Sequence, residues 1–182
     1  MVRGTPPVLV TPPASPLVPL ADLRDQCRID GVHEDHLLAL YEGSAVSHLD
    51  GCGGVLGRAI LPQTWRQDFP GWGRLRLALP DVRSVTVTWL DDAGDEQPAD
   101  SATLIADTLG SCVDASGPPA SRVRVVYEAG MPDADVAAIR QAVLMTVAHW
   151  HAHREAVVVG KIPSELPMAA QALVAGKRRV RV

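Results

Sequence analysis

The amino-acid sequence predicts an α+β fold, in which a small helical bundle carries an inserted antiparallel β-rich region and extended N- and C-terminal arms. Three observations predict this fold. Apolar residues recur at helical spacing towards both ends of the chain, they alternate with polar residues in its middle, and a proline-rich and a basic segment flank the whole. A chain of 182 residues is long enough for one compact domain with an insertion and tails.

The N-terminal arm covers residues 1–19 and is rich in proline. Proline fixes φ and removes an amide donor, so this segment is expected to be extended. Two alternatives remain open for it: the arm is mobile by itself, or it lies along a neighbouring subunit.

Three helices are predicted from apolar positions three and four residues apart, over 20–29, 33–52 and 134–156, and a last short helix is predicted from Met168 to about Ala175. The second has Glu34 and Asp35 in its first turn, where carboxylates stabilise the positive end of the helix dipole. In the third, Trp150 continues the spacing that begins at Val136. We therefore expect Trp150 in the core.

The β-rich insertion is predicted over 60–128, because the hydrophobic period changes from helical to alternating. Its candidate strands are 64–69, 74–79, 82–90, 100–107 and 122–127. Between the last two, residues 110–121 are rich in small and turn-forming residues, and a loop is expected there.

Composition excludes several classes of protein. The net charge of −4 and the pI near 5.8 argue against a dedicated nucleic-acid binder, whose domains are usually basic. The three cysteines are widely spaced and form no CxxC pair, so neither a disulfide framework nor a cysteine zinc site is expected. No segment has the ~18 uninterrupted apolar residues of a membrane span, and the N-terminus does not resemble a signal peptide.

Three histidines near the end of the third helix are a candidate metal site. His149 and His153 are four residues apart and share a helix face, but His151 points roughly opposite and no third ligand lies nearby. Structural or solvent-exposed histidines are the preferred interpretation.

Four carboxylates, Asp91, Asp92, Asp95 and Glu96, form an acidic cluster. Calcium loops need alternating oxygen ligands and a bidentate Glu, and this cluster joins two predicted strands instead. A solvated hairpin turn is the preferred interpretation.

The run over 51–57 is glycine-rich but lacks the Lys-Ser/Thr pair of a phosphate loop, and it follows a helix rather than a strand. We interpret it as a helix end and hinge. The sequence contains no GxSxG motif and no evident acid pair. An enzyme is therefore not predicted, and no catalytic residue, cofactor or metal is assigned.

The C-terminal segment, 160–182, differs from the rest because it holds five basic residues and one acidic residue in a chain of net charge −4. A basic tail on an acidic body usually marks an electrostatic interaction segment, and a solvated end without a partner is the alternative. Interspersed apolar residues favour docking on a protein surface.

Several short motifs follow one another in a fixed order: Val10-Thr11-Pro12-Pro13-Ala14, Leu20-Ala21-Asp22-Leu23, Arg28-Ile29-Asp30, Asp35-His36-Leu37-Leu38, Thr64-Trp65, Leu79-Pro80-Asp81-Val82, Tyr127-Glu128-Ala129-Gly130, Ile139-Arg140-Gln141-Ala142 and His149-Trp150-His151. Their order and spacing resemble those of the head–tail connector (adaptor) proteins of long-tailed bacteriophages and gene transfer agents. The sequence departs from that pattern in the glycine-rich run and over 92–121.

The resemblance implies an adaptor domain over 20–159 and a portal-docking tail over 160–182. It implies a dodecameric ring beneath the portal protein, which joins the head to a stopper or tail-completion protein and extends the channel for double-stranded DNA without sequence-specific contact. The location implied is the virion, after assembly in the bacterial cytoplasm, with no membrane partner. The tail residues expected to bind the portal are Lys161, Leu166, Met168, Leu173, Lys177, Arg178, Arg179 and Arg181.

Two other functions compete with this interpretation. A nucleic-acid-binding module would act through the basic tail, and its binding would weaken steeply with salt. A metal-dependent enzyme would use His149 and His153, and would purify with stoichiometric zinc.

Overall fold

The computed structural model describes residues 2–91, 93–120, 122–153 and 167–179. Within these residues the chain divides into two compact units. The β unit contains residues 2–14 and 58–131, and the helical unit contains residues 15–57, 132–153 and 167–179. An α+β fold is confirmed.

The β unit consists of two antiparallel sheets. One has five strands in the order β1-β2-β8-β4-β5, and the other has three in the order β3-β7-β6. The strands are β1 (Val8–Thr11), β2 (Gln63–Phe69), β3 (Gly73–Arg76), β4 (Val82–Leu90), β5 (Glu96–Pro98), β6 (Ser101–Asp107), β7 (Gly110–Ser116) and β8 (Val123–Ala129).

Strand alternation builds the core of the β unit. In β8 every second residue is buried, namely Val123, Val125, Tyr127 and Ala129, because successive side chains point to opposite faces of a sheet. Leucines of the segment 75–79 are buried in the same alternating way. The pattern that predicted the strands is therefore also the pattern that fills the core.

Two segments of the β unit differ from their sequence-based expectations. Residues 8–11 of the proline-rich arm form β1, which pairs with β2 of the same chain. Residues 110–116, expected to be a loop, form β7, in which Cys112 and Val113 are fully buried. Small side chains lowered the apparent strand propensity of β7, but pairing with both β3 and β6 compensates.

The helical unit contains α1 (Leu20–Cys27), α2 (Asp35–Leu49), α3 (Asp133–Ala152) and α4 (Met168–Ala175). The first three correspond to predicted helices and end earlier than predicted, and α4 confirms the short helix predicted from Met168 to about Ala175. The ends of α1 and α2 have clear causes. Arg28 adopts a left-handed conformation with φ of 56° and caps α1, and Asp50 caps α2 with an extended backbone. The helix α4 packs against α3.

Apolar positions of α3 at helical spacing, Val136, Ile139, Val143 and Val147, are buried as predicted. Trp150 is half-buried rather than in the core. It packs edge-on against Tyr41 with ring centroids 6.1 Å apart. Trp150 lies in the last turn of α3, where its neighbours His149 and His151 are half-buried as well.

One buried carboxyl group fixes the entry of the chain into α1. The Glu42 side chain is only 8 % exposed, and its Oε1 accepts hydrogen bonds from the amides of Leu17 at 3.0 Å and Val18 at 3.2 Å. The Arg140 Nε donates to the Leu17 carbonyl at 3.1 Å. Side chains of α2 and α3 thereby satisfy backbone groups that precede α1 and have no helical partner.

Candidate functional site: the C-terminal helix and basic segment

The C-terminal candidate site begins with α4, a helix without any charged residue. Ala170 and Val174 are 0 % and 2 % exposed, so one side of α4 is built into the helical unit. Met168 lies at its start and is 87 % exposed, the largest exposure among the large apolar residues described. The helix therefore has one side that holds it in place and one strongly exposed apolar side chain.

Three of the contacts that anchor the basic residues after α4 to the helical unit involve residues distant in sequence. The Lys177 Nζ donates to Asp135 Oδ1 at 2.7 Å, in the first turn of α3, where a carboxylate is also favoured by the helix dipole. The Arg179 amide donates to the Leu56 carbonyl at 2.8 Å, and the Arg178 Nε donates to the Val55 carbonyl at 3.3 Å. We call these three contacts the C-terminal latch.

The glycine-rich run supplies the acceptor side of the latch. Gly51 and Gly57 have φ of 75° and 62°, a region that favours glycine. A Cβ on Gly54 would lie 2.3 Å from the carbonyl oxygens of both Leu49 and Asp50. Since a side chain there would clash with backbone, glycine is required for the tight path that presents the Val55 and Leu56 carbonyls.

The eight predicted portal-docking residues fall into two groups. Lys161, Leu166 and Arg181 lie outside the described residues. The structure places the other five on or directly after α4: Met168 and Arg178 are exposed, and Leu173, Lys177 and Arg179 are half-buried. Sequence reasoning missed the other half of the latch, Asp135 and the 55–56 carbonyls. In the sequence, the glycine-rich run over 51–57 was the one signal that pointed to this part of the latch.

The histidines of α3 engage neighbours within the helical unit. The His151 Nε2 lies 2.6 Å from Glu34 Oε2, and the His153 Nδ1 lies 3.0 Å from the His149 carbonyl. Within residues 2–91, 93–120, 122–153 and 167–179, no group of three His, Cys, Asp or Glu side chains could hold a metal ion.

The acidic cluster lies in a turn, in which the Asp91 carboxylate accepts hydrogen bonds. Its Oδ1 accepts the amides of Ala93 at 3.0 Å and Asp95 at 2.9 Å, and its Oδ2 accepts Gln97 Nε2 at 3.1 Å. The hydrogen bond from the Asp95 amide is the main reason why the pKa of Asp91 is lowered. This arrangement matches the predicted hairpin turn.

Two further findings concern the cysteines and the helices of the described part of the chain. Its cysteines form no disulfide: Cys27 and Cys52 are half-buried and Cys112 is buried. None of its helices is long and apolar enough to cross a membrane.

Comparison with known proteins gives matches among solved structures. No protein-family model and no curated protein matches the chain. Among solved structures, it is similar to a chain from the neck of an empty GTA (gene transfer agent) particle computed with C6 symmetry, with a TM-score of 0.74 and 23 % sequence identity. The match covers 98 % of this chain and 97 % of that chain. The two chains therefore share a fold over almost their whole length, in agreement with the fold that the resemblance to connector proteins implied.

Proposed function

We propose that this protein is a structural adaptor of a phage-like particle, located in the connector between head and tail. The observation that carries the proposal is the match in fold, over nearly the full length of both chains, to a protein of a GTA neck. The order of sequence motifs supports the same family independently. The adaptor acts by binding and geometry and carries out no catalysis.

The exposed apolar side chain on α4 supports a function in assembly. Met168 is 87 % exposed. Surfaces that become buried against protein partners are typically poor in charge and contain exposed apolar side chains. Helix α4 meets this description, because it has no charged residue at all.

In the proposed assembly, copies of this chain form a ring beneath the portal protein and bind a stopper or tail-completion protein on the opposite side. A dodecameric ring is compatible with the sixfold symmetry of the neck that contains the similar chain. Double-stranded DNA passes through the ring without sequence-specific contact. The net charge of −4 suits such a channel, since a strongly basic lining would retain DNA.

The C-terminal segment 160–182 is the proposed portal-binding element. Because Ala170 and Val174 are buried, deleting the whole segment would also damage the helical unit, so point variants are required. Met168→Ser and Arg178→Ser change two exposed side chains and leave the buried side of α4 intact. Arg178→Ser also removes the latch hydrogen bond to the Val55 carbonyl, so Met168→Ser is tested alone as well, and circular dichroism checks that each variant folds. Val32→Ser, at a residue 69 % exposed, is the matched control.

The test is a pull-down from a particle-producing lysate with the tagged full-length chain and each variant, with bound proteins identified by mass spectrometry. We expect portal protein with the unaltered chain and with Val32→Ser, and at least tenfold less with the Met168→Ser, Arg178→Ser double variant. Equal portal capture by the double variant would refute the docking assignment. Capture of nucleic acid without portal would favour the nucleic-acid-binding alternative.

A further inference from the structure

The sheets of the β unit end in four edge strands, and two of these edges are protected. On β3, the side away from β7 is occupied by the N-terminal segment, where the Val2 amide donates to the Arg74 carbonyl at 3.2 Å and Val2 bridges Leu75. β5 has only three residues, carries Glu96 and ends at Pro98. Cover, short length, charge and proline are devices by which native proteins prevent further pairing at an edge.

The edge of β1 carries no charge along its four residues, although it shares short length and a flanking proline with β5 and its register with β2 shifts between Leu9 and Thr11. Among the described residues β1 pairs only with β2. Val8, Leu9 and Val10 are 50 %, 42 % and 52 % exposed, although alternate residues of a strand point to opposite faces. Residues 4–21 contain no charged side chain. An apolar, uncharged edge of this kind favours the addition of another strand.

The edge of β6 is also poor in charge. Within the described residues β6 pairs only with β7, and residues 101–106 contain neither charge nor proline. The single charged side chain of the strand, Asp107, lies at its end and is held by two hydrogen bonds from Arg76, at 2.7 and 2.6 Å. Residues 101–103 are exposed.

We propose that the β1 edge of one copy of this protein pairs with the β6 edge of a second copy. The inference rests on the proposed ring and assigns a contact within it. A cyclic ring joins two different surfaces of each subunit, whereas pairing of β1 with β1 would be isologous and would stop at a dimer. The occupant is a second copy because one chain carries both of these edges, one in each of its two sheets.

Prolines restrict this contact to a short segment of the chain. Pro6 and Pro7 precede β1, and Pro12 and Pro13 follow it, so only the four residues of β1 can pair. A contact of this size is weak between two free copies. Closure of a ring makes the contacts multivalent, so the same pairing becomes stable in the assembled particle.

A photo-crosslinking experiment tests the pairing without assuming a register. Full-length chains labelled with light and heavy isotopes, both with benzoylphenylalanine at position 9, are mixed and irradiated, once purified at high concentration and once after co-assembly in particles. We expect light–heavy cross-links from position 9 to peptides containing residues 101–107. Cross-links that join position 9 only to its own copy, to another part of a second copy, to another protein, or to nothing in both samples would overturn the proposal.

Charge variants provide the second arm of the test. Val8→Lys with Val10→Lys places two charges on the β1 edge, and Ser84→Lys with Thr86→Lys places two charges at the same spacing on exposed positions of β4, which pair with β8 in the same sheet. With circular dichroism confirming that both fold, we expect the β1 variant to lose at least tenfold of the light–heavy cross-links and the β4 variant to lose none. Equal loss in both, or none in the β1 variant, would contradict the pairing.

The outcomes separate this inference from the proposed function. If the chain is present in necks but its position 9 cross-links elsewhere, the edge pairing is refuted and the adaptor role stands. If the chain is absent from necks but still gives light–heavy cross-links between residue 9 and residues 101–107, the adaptor role is refuted and the edge pairing stands.

Discussion

Charged residues are distributed differently in the β unit and in the helical unit. In the β unit, arginines of the strands meet carboxylates nearby: Arg76 binds Asp107, and Arg124 binds both Asp68 and Glu96. In the helical unit, residues 141–153 of the chain contain no Asp, Glu, Lys or Arg, and neither does α4. The helical unit also contains ion pairs, Arg24 with Asp35 and Lys177 with Asp135, so the contrast lies in α4 and the second half of α3. In α4 the uncharged surface includes the exposed Met168, which under the proposed function contacts a protein partner.

The largest expected effect concerns the core of the helical unit. Ile139 is 0 % exposed, so Ile139→Ala should lower the free energy of unfolding by about 2–5 kcal/mol through lost burial and a cavity. Leu40→Ala, on the exposed side of α2, should change it by no more than about 0.5 kcal/mol. Denaturant unfolding of both variants is the measurement, and similar losses for the two would show that α2 and α3 bury other faces than those described.

The next effect tests the buried carboxylate of the helical unit. Glu42→Ala leaves the Leu17 and Val18 amides without their acceptor, and should cost about 1–3 kcal/mol. Glu42→Gln keeps an acceptor oxygen and should cost less. If denaturant unfolding shows that both variants cost the same, the hydrogen bonds are not the reason why Glu42 is buried.

A matched pair of glycine variants tests the path of the 51–57 run. Gly54→Ala should destabilise the protein by about 1–3 kcal/mol, because its Cβ would clash with two backbone carbonyls. Gly43→Ala, in the interior of α2 with nothing within 4 Å, should stabilise it by up to about 1 kcal/mol. Thermal unfolding measures both, and the same sign for the two would contradict the described geometry.

The smallest effect is a pH dependence in the β unit. Hydrogen bonds from Arg76 lower the pKa of Asp107 from 3.8 to about 2. Because the pKa is lower in the folded state, this carboxylate stabilises the protein above about pH 4, and the stabilisation is lost as the pH falls towards 2. Asp107→Asn should therefore lower Tm at pH 7 and have a much smaller effect near pH 2.5. A constant difference across this range would exclude the ion pair as its cause.

Local signals in the sequence predicted much of the fold. Helical spacing located α1, α2 and α3, and alternation located β4 and the buried leucines near β3. Strand β1 was missed because its stability depends on β2, more than fifty residues away in sequence, and the prolines on either side suggested an isolated arm. The C-terminal latch was missed for the same reason, since Arg179 bonds to the backbone of Leu56.

The central claim is that the protein is a component of a particle neck. The most direct test is quantitative mass spectrometry of necks purified from particles assembled with the unaltered chain, with the portal protein as internal reference. The account predicts that this protein is present in the neck fraction at a fixed ring-like ratio to the portal. Its absence from that fraction, with the chain recovered only outside particles, would contradict the account.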